Sequence, residues 1–87
     1  MIKIVQVVSS TCPPCQAIQK KIQKWLETHP DVEYESISIE EKREQVAQMG
    51  ILSVPAVLVY RKDREIIRKI GYFSLDELLS SLDALIG

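Results

Sequence analysis

Ser9-Ser10-Thr11-Cys12-Pro13-Pro14-Cys15, followed by the apolar-periodic run from Gln16 to Thr28, holds both cysteines of an 87-residue chain. They stand in a C-x-x-C spacing directly after a β-branched run, Ile2 to Val8. A strand that delivers two thiols to the start of a helix is the context expected of a dithiol/disulfide redox site.

Reading outward from the motif, Ile2 to Val8 is nearly continuously apolar, broken by Lys3 and Gln6. This pattern predicts a central strand buried on both faces. Cys12 to Thr28 predicts a helix, with Ile18, Ile22, Trp25 and Leu26 on one face. Pro13 suits its first position, where a missing N–H costs nothing, and Pro30 closes it. Val32 to Ile39 reads as a second strand of imperfect alternation, with Val32 and Tyr34 on one side and Ile37 and Ile39 on the other. Glu33 and Glu35 suit a sheet edge. Glu40 to Met49 reads as a short, largely solvated helix that Gly50 stops.

Ala56 to Tyr60 and Glu65 to Ile70 read as a hairpin, with Asp63 the residue best suited to positive φ in its turn. Ser74 and Glu77 open the last helix as a capping box, and Leu75, Leu78, Leu79, Leu82, Leu85 and Ile86 form its apolar stripe. The expected architecture is α/β: β-α-β-α-β-β-α in one domain, residues 1–87. Its mixed sheet has four strands in the order 2-1-3-4, with helices on both faces.

Composition narrows the partners. Hydrophobic residues make up 46% and charged residues 26%, and 11 basic against 12 acidic residues leave a formal net charge of −1. Neither nucleic acid nor a membrane surface is expected as a partner. No apolar run approaches the ~20 residues that span a bilayer. The first residues lack a signal-peptide pattern, so the expected location is the cytoplasm. With helices covering both faces of the sheet and no spare apolar stripe, the expected state is a monomer.

Three segments together resemble the thioredoxin-fold family: Cys12-Pro13-Pro14-Cys15 after the first strand, Gly50-Ile51-Leu52-Ser53-Val54-Pro55-Ala56 before the third, and Ile70-Gly71-Tyr72-Phe73-Ser74 before the last helix. The resemblance covers nearly the whole chain and implies a minimal, glutaredoxin-sized core of that fold. It implies a protein-disulfide reductase, a thioredoxin-like electron carrier that uses its own redox-active disulfide and no other cofactor or metal. Its expected partners are disulfide-containing proteins and a thioredoxin-reductase-like electron donor. Several positions depart from the family pattern: Thr11 replaces a tryptophan, Pro13 a glycine, Gln6 a buried acid and Gln16 a lysine.

Cys12, at the helix terminus, is the expected attacking thiol, and Cys15, one turn in, the expected resolving thiol. With no N–H on Pro13 or Pro14, a Cys12 thiolate is expected to rely on the N–H groups of Cys15 and Gln16 and on the helix dipole. Val54 and Pro55 are expected to dock substrate, Pro55 through a cis bond that frees the Val54 backbone. Thr11, Pro13 and Gly71 complete the expected substrate-binding set, with Pro14 and Gln6 in support. Gln6 is no base, but it can hold a water near Cys15.

Two bland readings of the cysteines compete with this one. A structural staple across so short a loop adds little stability. A zinc site needs four ligands, where the chain offers two cysteines and His29. His29 reads as a solvated helix-end residue and Trp25 as core packing. Two other functions stand as alternatives. A glutathione- or iron-sulfur-binding module of the glutaredoxin kind is disfavoured by Gly71-Tyr72, which stands where those proteins carry Gly-Gly and an acid. A redox-silent interaction domain is disfavoured by the intact cysteine pair.

Overall fold

The computed structural model describes residues 1–86. Seven elements follow in order: β1 (Ile2–Val8), α1 (Pro13–Leu26), β2 (Glu33–Ser38), α2 (Arg43–Gln48), β3 (Ala56–Arg61), β4 (Arg64–Ile70) and α3 (Leu75–Ile86). The strands form one sheet in the order β2-β1-β3-β4. β1 runs parallel to β2, with Ile4 opposite Tyr34, and antiparallel to β3, with Ile4 opposite Val59. β3 and β4 form the antiparallel hairpin, with a register shift between Val59 and Tyr60. Element order, topology and the mixed sheet are those expected from the sequence.

The continuous apolar run of β1 is explained by its central place. Ile2 and Ile4 pack with Val57 and Val59 against Ile22 of α1 and Leu75, Leu78, Leu79 and Leu82 of α3. Val5 and Val7 point the other way, packing with Ile37, Ala56 and Leu58 against Val46 and Ile51. The alternation of β2 is imperfect, as expected, with Glu35 and Ser36 both exposed. Val32 and Tyr34 join the first cluster, Ile37 and Ile39 the second. On the second face Val46 of the six-residue α2 packs with Ile37. Glu33 and Glu35 are exposed at the sheet edge, where Lys3 Nζ meets Glu35 Oε1 at 2.8 Å.

Four details differ from the sequence reading. α2 begins at Arg43, because Glu40 to Lys42 form a turn in which the Lys42 N–H donates to Ser38 O at 2.9 Å. The hairpin turn places both Lys62 (φ 51°) and Asp63 (φ 67°) in the left-handed region, not Asp63 alone. A two-residue connection matched to strand twist needs positive φ at both central residues. Leu85 and Ile86 are each 45% exposed, because the apolar stripe of α3 runs past the edge of the sheet. His29 is not simply solvated. Its ring stacks on Trp25 at a centroid distance of 3.7 Å, and Nε2 meets Asp83 Oδ1 at 2.7 Å. The Trp25 indole N–H donates to the same oxygen, so this cluster ties the end of α1 to α3.

Leu82 is fully buried at the centre of the first cluster. Leu82→Ala is expected to lower unfolding free energy by about 2–5 kcal/mol, from lost transfer energy and the cavity left behind. Urea denaturation checks this, and a loss under about 1 kcal/mol would contradict the packing described.

Candidate active site

The site lies where β1 hands the chain to α1. Cys12 is the residue before the helix, and Pro13 and Pro14 occupy its first two positions. Proline has no N–H to leave unpaired there, and its fixed φ suits a helix start. The sulfurs of Cys12 and Cys15 are bonded, with Cα atoms 5.3 Å apart, so the structure is that of the oxidised form. Both residues are largely covered, Cys12 at 7% exposure and Cys15 at 2%.

The donors around Cys12 are scarce. Its own N–H donates to Ser9 O at 3.3 Å, and the Cys15 N–H donates to Cys12 O at 3.1 Å. In the oxidised form the Cys15 N–H is therefore committed to backbone rather than free for sulfur. What remains is the Gln16 N–H and the partial positive charge at the end of a 14-residue helix.

A groove of about 630 Å³ opens beside the disulfide. Thr11, Cys12, Pro13, Pro14, Val54, Pro55 and Gly71 all line it, so the residues singled out in the sequence come together, apart from Cys15 and Gln6 behind the surface. The Val54–Pro55 peptide bond is cis. Gly71 sits at φ 81°, and its N–H donates to Pro55 O at 2.9 Å, which fixes one wall of the groove. A Cβ at Gly71 would meet nothing within 4 Å, so glycine answers to the backbone conformation and not to crowding. Among the described residues, no loop or turn backbone hydrogen bond uses Val54. Ala17, Ile18 and Phe73 extend the groove along α1, and Lys21 and Asp76 approach each other at 3.9 Å at its rim. Among the described residues, no group of three His, Cys, Asp or Glu side chains is placed to hold a metal ion.

Gln6 is fully buried, and each end of its amide has a partner within the protein. Its Nε2 donates to the carbonyl of Cys15 at 2.9 Å, and its Oε1 accepts the Tyr34 hydroxyl at 2.6 Å. The amide orientation is forced, since a carbonyl can only accept. Gln6 thus grips the backbone of the resolving position from the sheet. Burial pushes the Tyr34 phenol up to about 12, so it stays a neutral donor at physiological pH.

Sequence reasoning missed Tyr34, Glu40 and the fully exposed Tyr72 beside the groove. Glu40 is no idle surface charge. Its Oε2 accepts the Ser9 hydroxyl, and its Oε1 accepts the Ser10 N–H at 3.1 Å and the Ser38 hydroxyl at 3.2 Å. The Ser9 hydroxyl first, then the Ser10 N–H, hold its carboxyl below the usual carboxylate range. The signal available was the hydroxyl run Ser9-Ser10-Thr11, whose donors need an acceptor nearby.

Comparison with known proteins gives one family. The thioredoxin family model matches residues 1–84. Thioredoxin from Alicyclobacillus acidocaldarius is 26% identical over 80 residues, covering 91% of this chain and 76% of that protein. Thioredoxin-1 of Schizosaccharomyces pombe is 24% identical over 68 residues; the match takes in 78% of this chain and 66% of that one, just under two-thirds of its length. Among solved structures, thioredoxin 1 from Thermosipho africanus superposes with a TM-score of 0.89 at 28% identity, covering 97% of this chain and 93% of that one.

The Gln6 contacts yield a signed pH test. In Gln6→Glu, only a protonated carboxyl can donate to Cys15 O while accepting from Tyr34. The folded state therefore raises the pKa of the new acid above its unfolded ~4.3. Stability relative to wild type is expected to be best below that value and to fall as pH rises, by about 1.4 kcal/mol per unit until the folded pKa is passed. Denaturation at a series of pH values from 4 to 8 checks this, and a flat difference would contradict the donor role.

Proposed function

The chain belongs to the thioredoxin family and is a thiol-disulfide oxidoreductase with disulfide reductase activity, and from that premise we propose that it is a cytoplasmic, monomeric reductant of protein disulfides working through the Cys12-Pro13-Pro14-Cys15 dithiol. The observation that carries this reading is the bonded cysteine pair at the start of α1, with Cys12 on a groove walled by Val54, Pro55 and Gly71. The balanced charge and the absence of a helix able to cross a membrane among the described residues fit a partner that is neither nucleic acid nor bilayer.

In the reduced protein the Cys12 thiolate attacks one sulfur of the substrate disulfide. That S–S bond breaks, a Cys12–substrate disulfide forms, and the other substrate sulfur leaves as a thiolate that takes a proton from water. The Cys15 thiolate then attacks the Cys12 sulfur and expels the second substrate thiolate. Two electrons have passed to the substrate, and the protein is left with its Cys12–Cys15 disulfide. A thioredoxin-reductase-like donor supplies two electrons to restore the dithiol; no further cofactor is required. Cys12 is assigned the attack because it lines the groove, and Cys15 the resolution because it is buried behind it. The free backbone of Val54 is suited to pair with an extended substrate segment. Thr11, Pro13 and Gly71 shape the walls, and Pro14 and Gln6 hold the turn that presents the sulfurs.

Cys12→Ser is expected to abolish disulfide reduction. Cys15→Ser is expected to accumulate a mixed disulfide, visible by mass spectrometry and by non-reducing electrophoresis. Repeated turnover by Cys15→Ser, with no added monothiol to resolve the adduct, would reverse the assignment.

A further inference from the structure

The hydroxyls in front of Cys12 form a chain whose hydrogens can be counted. Ser9 Oγ lies within hydrogen-bond distance of Glu40 Oε2, of Thr11 Oγ1 at 3.2 Å and of the Thr11 N–H at 3.3 Å. A carboxylate only accepts, so the single Ser9 hydroxyl hydrogen goes to Glu40. Both lone pairs of Ser9 Oγ are then filled, one by the Thr11 N–H and one by the Thr11 hydroxyl, which must donate. The Thr11 hydrogen is thereby turned back toward Ser9, leaving its oxygen with only lone pairs to offer. Thr11 is exposed and lines the groove beside Cys12.

We propose that Thr11 Oγ1 is a specificity-determining acceptor, fixed in that polarity by Glu40 through Ser9, which takes a hydrogen-bond donor, in the first place a backbone N–H, from the substrate segment flanking its disulfide. The substrate class is therefore a peptide disulfide with free amide donors beside the sulfurs. This deepens the reductase reading above and rests on it. Glu40 and Ser9 are positioning residues and touch no substrate. Glu40 is suited to the task because it stays ionised far below neutral pH, held so by the same hydroxyl and backbone donors.

The two oxygens of Glu40 make the idea separable from simple bracing of the loop. Oε1 carries both the Ser10 N–H and the Ser38 hydroxyl, so in Glu40→Gln the amide oxygen keeps that place and the NH₂ faces Ser9. The NH₂ donates to Ser9 Oγ, Ser9 donates to Thr11, and the Thr11 hydrogen is released to the groove. The loop stays tied while the polarity of the chain reverses.

The test compares kcat/KM for a cystine-linked peptide, rich in N–H donors, with that for 4,4′-dithiodipyridine, which has no donor at neutral pH. Thr11→Val is expected to lower the peptide-to-dithiodipyridine ratio by roughly three- to tenfold, the worth of one neutral hydrogen bond, mainly through KM for the peptide. Thr11→Ser is expected to restore it, and Glu40→Gln to lower it by a smaller factor in the same direction. A loosened loop would change both substrates alike and leave the ratio where it was. An unchanged ratio in Thr11→Val, or a Thr11→Ser ratio as low as that of valine, would overturn the acceptor role. A wild-type ratio in Glu40→Gln would overturn the part given to Glu40. If the wild-type protein reduced neither disulfide, the reductase reading itself would fall, and this proposal with it.

Discussion

A single buried amide holds the redox end of this molecule together. Gln6 sits in the middle of the central strand with no exposure, donating to the carbonyl of Cys15 and accepting from Tyr34. An unpaired amide in that position would be costly, so the site is stable only while both partners are in place. The bond crosses from β1 to the first turn of α1, and the phenol that completes it comes from β2. Three elements are thus locked at the point where the disulfide is carried. The packing below, Ile4 and Val57 against Ile22, sets the distance of the helix from the sheet; the amide sets which backbone atoms face each other.

With that turn fixed, the chemistry of Cys12 follows from which donors are absent. Pro13 and Pro14 contribute no N–H, the Cys15 N–H is bonded to Cys12 O, and the Cys12 N–H is bonded to Ser9 O. The Gln16 N–H and the positive end of the helix remain to favour a negative sulfur. A thiolate with so few donors is stabilised less than one surrounded by them. The reduced form is therefore not strongly favoured over the disulfide, and electrons are given up readily. On the other side of Cys12, Glu40 fastens Ser9 and Ser10 and so settles how the groove begins.

Much of this was legible in the sequence, and the reason is periodicity. Ile2 to Val8 could only be a strand buried on both faces, and Leu75, Leu78, Leu79 and Leu82 could only be one helix face. The cysteines marked the site by their spacing at a strand-helix junction, and Val54-Pro55 and Gly71 by the resemblance of their segments to the thioredoxin-fold family. Tertiary pairing between polar residues was not legible. Tyr34 and Gln6 are 28 positions apart, and Glu40 and Ser9 are 31, so no local pattern ties them. His29 was misread for the same reason, its partner Asp83 lying on a different helix.

The Cys12–Cys15 pair is a reductant because its thiolate is sparsely stabilised. The midpoint potential of the pair, measured against glutathione or dithiothreitol buffers, tests it most directly. A value of about −230 mV or lower, toward the thioredoxin range near −270 mV, is the result predicted. A value near −120 mV, that of a strong oxidant whose reduced form is stabilised, would contradict it. The gap corresponds to roughly 5 kcal/mol for a two-electron couple, far beyond the error of such a titration.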